Sequence, residues 1–186
     1  VEIRECVVSW NGHSGGGVVD GGDGINGAYG QKLSLIENDI HGNYESGIYD
    51  FATEEVEISG NLIRDNYGVG PAAGAAISTA LTATITGNTS FNNNEGITVG
   101  NTLSVDISGN SIYSNFLSGV TVNNCSFAVF SNNVVYSNNE DGVVFSSTAP
   151  VARNNTVFNN NGYQVWINTA GSFFQNNCVW AIETQP

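Results

Sequence analysis

Positive charge is almost missing from this chain. One lysine and three arginines stand against seventeen acids, a formal charge of −13 over 186 residues. Phosphate recognition needs a positive footprint, so nucleic acid and anionic membrane surfaces are not expected as partners. Methionine is absent and histidine occurs only twice, which leaves a copper-handling role without ligands. The cysteines Cys6, Cys125 and Cys178 are odd in number and far apart, so they form no disulfide framework. No CxxC pair suggests zinc either, and all three are expected to be buried thiols. No apolar run approaches the ~20 residues of a membrane span. No signal peptide precedes the first repeat, and the single domain reads as a segment of a longer, secreted or surface protein.

What is present is repetition. "ISGNSIYSN" from Ile107 has near-twins in "ISGNLIRDN" from Ile58, "ITGNTSFNN" from Ile85 and "LIENDIHGN" from Leu35. The anchor position is filled by Cys6, Asn38, Asn61, Asn88, Asn110, Asn133, Asn155 and Asn177. Self-similarity at about 22 residues signals stacked units that complete one another's core. Each unit carries three short apolar alternations, for example Val105/Ile107, then Ile112, then Val120/Val122 after a glycine. Alternation of period two is a strand signal, and it excludes helical repeats. Three strands per coil and about eight coils give an all-β solenoid on the order of 38 Å long at ~4.8 Å per strand. Asn and Gly are expected to supply the tight and left-handed turns between strands.

The pattern I-x-x-N-x-I-x-x-N-x-x-x-G-I/V-x-V resembles the right-handed parallel β-helix repeat of the pectate-lyase-like superfamily, over nearly the whole chain. The resemblance implies a single-stranded right-handed parallel β-helix. It implies no single activity, because this scaffold carries lyases, hydrolases, epimerases, adhesins and tail fibres. The anchor asparagines should form an inward ladder. A second series, Asn11, Asn43, Asn66, Asn93, Asn115, Asn138 and Asn160, should form another, since stacked buried amides satisfy one another. Both series read as scaffold, and a glycan on the Asn88 sequon would conflict with that inward position.

Function is expected where the repeat departs from itself. Two coils are long, within Trp10–Gly24 and Tyr67–Gly74, and both insertions fall in the turn entering the strand that follows the glycine. In the enzymes that the chain resembles, the corresponding loops and strand build a substrate groove. The patch gathers His13, Asp20, Asp23, Asn26, Tyr29, Glu45, Tyr49 and Asp50. Asp50 shares parity with Ile48, and its equivalents in later coils are apolar, so an inward, desolvated acid with a raised pKa is one expectation. The other is that the strand ends at Tyr49 and Asp50 turns to solvent. With Asp20 or Asp23 as second carboxylate and His13 as helper, glycoside hydrolysis becomes the enzymatic reading. Asn26, Tyr29, Tyr49 and Trp166 are the candidate sugar contacts.

Lyase and epimerase chemistry needs a cation to neutralise a uronate carboxylate. The outer row of the post-glycine strand, Asn26, Tyr49, Ala76, Thr98, Thr121, Val144 and Trp166, holds none. The Asp-Pro-His-Asp type motif of related mannuronan epimerases is also missing. Asp20-Gly-Gly-Asp23 offers oxygen ligands for Ca²⁺ on a flexible loop, although Gly-Asp-Gly is equally an ordinary turn. No cofactor is otherwise called for. A further row, Phe91, Tyr113, Tyr136, Phe158 and Trp180, should point outward. It reads as a stabilising stack, a platform for sugar rings or a protein interface. Ser90, on the inward side of that coil, leaves room for Phe91 to turn into the core instead. The expectation is thus a polysaccharide-engaging β-helix. The alternative is a structural or adhesive rod, associating end to end or through the aromatic stripe.

Overall fold

The computed structural model describes residues 1–11, 22–67 and 72–181. Every strand pairing among them is parallel, and the strands fall into three sheets that wrap one axis. Face A has eight strands: Glu2–Arg4, Lys32–Ile36, Glu55–Ser59, Thr82–Thr86, Ser104–Ser108, Phe127–Ser131, Pro150–Arg153 and Phe173–Gln175. Face B has eight: Val7–Ser9, Asp39–His41, Leu62–Arg64, Thr89–Phe91, Ser111–Tyr113, Val134–Tyr136, Thr156–Phe158 and Cys178–Trp180. Face C has seven: Ile25–Ala28, Ile48–Phe51, Ala73–Ser78, Glu95–Gly100, Val120–Asn123, Val143–Ser146 and Val165–Ile167. The three-strand coil anticipated from the repeat is the coil that forms.

Strand parity decides what is inside. In Ser104–Ser108, Val105 and Ile107 are buried, while Ser104, Asp106 and Ser108 look out. The register does not slip, so Ile107 lies between Ile85 and Phe130, and Ile112 between Ser90 and Val135. Leu35, Ile40, Ile48, Ile58, Ile63, Ile85 and Ile97 are fully buried along this axis. Each such side chain contributes roughly 1.5–3 kcal/mol of burial.

Each regular coil has a left-handed residue at all three corners. In one coil these are Gly109, Ser114 and Asn124, with φ of 68°, 55° and 53°. The buried asparagines are the residues just after two of these corners. Their amides run the length of the rod: Asn61 Nδ2 donates to Asn88 Oδ1 at 3.0 Å, and Asn88 Nδ2 to Asn110 Oδ1 at 3.0 Å. The second ladder repeats the pattern, with Asn43 Nδ2 on Asn66 Oδ1 at 2.8 Å and Asn115 Nδ2 on Asn138 Oδ1 at 2.9 Å. Each Oδ1 also accepts its predecessor's backbone N–H, and each Nδ2 reaches back to a carbonyl, as Asn110 does to Ile85 at 2.9 Å. Cys6 takes the first anchor position by donating its backbone N–H to Asn38 Oδ1 at 3.0 Å.

Glycine supplies left-handed corners as expected, at Gly42, Gly60, Gly87 and Gly109. The glycine before face C has another role: it is there for space. A Cβ on Gly119 would sit 2.7 Å from Asn138 Nδ2, from the Gly142 carbonyl and from Val135 Cγ1. One expectation needs correction: Cys125 is a buried thiol, and burial pushes its pKa up, but Cys6 and Cys178 are exposed.

Candidate functional site

The two long turns leave from one corner. Residues 10–24 connect face B to face C in the first coil, and residues 65–72 make the same connection in the third. His13 and Asp20 lie outside the described residues, as does the Asp20 half of the calcium reading. The described part of the corner is built on the first two strands of face C, where Asn26 and Tyr49 are paired neighbours and both point outward. Asp23 is fixed beside them. Its Oδ2 accepts from Asn26 Nδ2 at 3.0 Å and its Oδ1 from the Ser46 backbone N–H at 3.0 Å. Burial pushes the Asp23 carboxyl above its ordinary pKa; the Ser46 N–H opposes this and the Glu45 charge adds to it. Glu45 in turn accepts from the Gly22 N–H at 3.3 Å.

Asp50 goes the other way. It points into the solenoid and is 0 % exposed. Its column reads Gly27, Asp50, Ile77, Val99, Val122, Phe145 and Ile167, so it is a carboxyl set in hydrocarbon. Gly27 makes the room, since a Cβ there would collide with Asp50 Oδ1 and lie 2.9 Å from Leu33 Cδ2. Oδ1 accepts from Thr53 Oγ1 at 2.6 Å, and Oδ2 is buried with no partner. Burial raises its pKa, with the Thr53 contacts pulling it partway back. The carboxyls expected to face each other across a bond, Asp23 and Asp50, are therefore on opposite sides of face C. A sugar on the outer surface reaches Asp23 and cannot touch Asp50.

The other candidates are spread. Tyr29 stands at the far end of the first face-C strand, at the left-handed corner leading to face A, edge-on to Phe51 with centroids 5.6 Å apart. Trp166 shares the outer row with Asn26 but lies six strands away, about 29 Å at ~4.8 Å per strand. Neither belongs to the corner that Asp23, Asn26 and Tyr49 make. Arg64, the cation nearest by coil number, is held by Asp39 and Asp65 at 3.0 Å each, and Lys32 reaches Glu57 at 3.5 Å. Sequence reasoning missed the Asp39–Arg64 bridge, although the strand register could have shown it, because Leu62 pairs with Asp39 and Arg64 is two residues on. It also missed Tyr67, which sits at the third coil's corner and contacts Phe116 edge-on at 6.0 Å. Among the described residues, no three His, Cys, Asp or Glu side chains are grouped to hold a metal ion.

The aromatic row of face B is continuous. Phe91, Tyr113, Tyr136, Phe158 and Trp180 stack with centroids 5.0, 4.9, 5.1 and 4.6 Å apart and planes within 14° of parallel. Phe91 stays in this stack, outside the core, because Ser90 closes the inner position itself. The Ser90 hydroxyl donates to the Gly96 carbonyl and accepts from Asn93 Nδ2, both at 3.1 Å. The rings cover one another in part, and each leaves only an edge and some of a face at the surface.

The right-handed β-helix region family matches residues 1–104 and 71–179, and the chain belongs to that family. The overlap of the two matches is what a repeat produces when it aligns with itself. No curated protein and no solved structure matches the chain.

Proposed function

We propose that this β-helix engages polysaccharide outside the cell and does so by binding. The carrying observation is the outer corner of face C, where Tyr49 and Asn26 lie side by side with Asp23 oriented on the Asn26 amide. An exposed phenol ring beside an amide and a carboxylate can accept a sugar's C–H face and its hydroxyls together. The position of Asp50 weighs against hydrolysis, which needs two carboxyls on either side of one bond. The net charge of −13 favours neutral glycans over polyuronates.

The test is retention on immobilised neutral and acidic polysaccharides, with reducing ends measured in parallel. Binding without new reducing ends, reduced about tenfold in Tyr49→Ala and less in Asp23→Ala, is the expected result. Release of reducing ends would restore the enzymatic reading. A second reading, a stiff surface rod, is favoured by the three uninterrupted side-chain ladders, and it predicts no glycan retention on any support.

A further inference from the structure

In a chain so strongly acidic, the C-terminal part of face B carries no charge. Its outward residues are Thr89 and Phe91, Ser111 and Tyr113, Val134 and Tyr136, Thr156 and Phe158, and Cys178 and Trp180. The corners on either side add only Gly87, Gly109, Asn132 and Asn154, and Asn92, Ser114, Ser137 and Asn159. The strip begins where the Asp39–Arg64–Asp65 cluster ends. Rings in contact lie ~3.5–4.0 Å apart, yet their centroids here are 4.6 to 5.1 Å apart. Rings that touch at such centroid distances are displaced sideways, like overlapping tiles, and each leaves an edge and part of a face open.

We propose that this strip is a second contact surface, for one uncharged, extended β-linked glycan chain lying along the rod axis. Three observations select that occupant. The strip is neutral, so a polyanion or polycation gains nothing on it that it does not gain elsewhere. Its ring stack is about 20 Å long, and one three-residue strand spans ~10 Å. The ~200 Å² this presents is far below the ~800 Å² per partner of a stable protein interface, which argues against a second copy and for a narrow polymer. Its chemistry also repeats at four of the five coils, one ring followed by one amide or hydroxyl: Phe91–Asn92, Tyr113–Ser114, Tyr136–Ser137, Phe158–Asn159. An extended β-1,4-linked hexose chain advances by nearly the same step per sugar, so successive sugars, turned over in alternation, each meet one apolar tile.

The proposal shares the glycan reading given above and uses a different face of the rod, so separate variants distinguish the two. Cellohexaose and insoluble cellulose are the probes; dextran, which is not extended, and polygalacturonate, which is charged, are the controls. Val134 is 38 % exposed between Ser111 and Thr156, and Val134→Glu places an unpaired charge mid-strip. Expected is retention on the β-1,4 probes that falls at least tenfold in Val134→Glu and far less in Tyr49→Ala, while any dextran retained through the Tyr49 corner is untouched by Val134→Glu. Ser114→Asp, at an exposed left-handed corner that Asp tolerates, guards against a folding artefact and should give a smaller loss in the same direction. The proposal is overturned if the parent protein ignores both β-1,4 probes, or if Val134→Glu lowers retention on dextran or polygalacturonate as well. Unchanged retention in both charge variants would also overturn it, as would a parent dimer that Val134→Glu dissociates.

Discussion

The first three coils and the last five obey one repeat and spend it differently. In the C-terminal coils the outer row of face B becomes five stacked rings, and the face-C column is Val99, Val122 and Phe145. In the N-terminal coils the same face-B row holds His41 and Arg64, and the same column holds Gly27 and Asp50. Both long turns are in the N-terminal part. Regular coils stack like on like and gain stability from it; the irregular ones carry charge and a buried acid that regular stacking would exclude. A parallel solenoid allows this because each coil depends chiefly on its two neighbours.

Perturbing both halves sharpens the contrast. The largest effect should come from Asn110→Ala. Asn110 Oδ1 accepts from the Asn88 backbone and side-chain N–H groups, and its Nδ2 donates to Ile85 O, Ser108 O and Asn133 Oδ1. With buried donors and acceptors orphaned at about 1–3 kcal/mol each, the variant should lose at least ~3 kcal/mol in urea unfolding. Gly119→Ala comes next, at about 1–3 kcal/mol of overpacking, because two of the three atoms its Cβ would meet belong to the buried amide ladder and the backbone. Tyr113→Ala removes two stacking contacts. At about 0.5–1.5 kcal/mol per ring pair, it should cost less than Asn110→Ala while leaving the far-ultraviolet dichroism intact. A cost equal to that of Asn110→Ala would mean that the rings, rather than the amides, hold the regular half together.

The N-terminal half should respond in the opposite sense. Asp50 has a folded pKa raised above its unfolded value, so the native state holds the proton more tightly. Its favourable contribution is present below the unfolded pKa, is lost as pH rises through the interval up to the folded pKa, and stays lost above it. Asp50→Asn should therefore raise the melting temperature at pH 7 by a few degrees, about what ~1 kcal/mol gives in a chain of this size. The gain should shrink as the pH approaches 4. A variant less stable than the parent at neutral pH would show that the carboxylate is satisfied in a way its unpartnered Oδ2 does not suggest.

The rod was legible from spacing alone, because parity, the 22-residue step and the paired asparagines all encode contacts that recur. The corner between the first and third coils was legible too, since an insertion in a repeat can be counted. What could not be read is where a single residue departs from its column. Asp50 obeyed parity and went inside, so the pairing with Asp23 proposed from shared proximity fell on two sides of one sheet. Gly119 read only as the residue before a strand; its need for space appears only when the next coil's amide and carbonyl are in place. The ring row was read correctly as outward. Its mutual coverage, which takes away most of a stacking platform, follows from three-dimensional spacing rather than from the order of residues.

Both amide columns run one way: each side chain hands its hydrogen toward the C-terminus and receives one from the coil before. The molecule thus has a direction, and any gap leaves unmatched N–H donors on its N-terminal side and an unmatched amide oxygen on its C-terminal side. Removing part of a strand would put both columns out of step at once, whereas removing a whole coil would let the severed ends rejoin, and the columns already bridge coils of 27 and 32 residues. Variation in length within such a lineage should accordingly come as whole coils or in the turn between faces B and C.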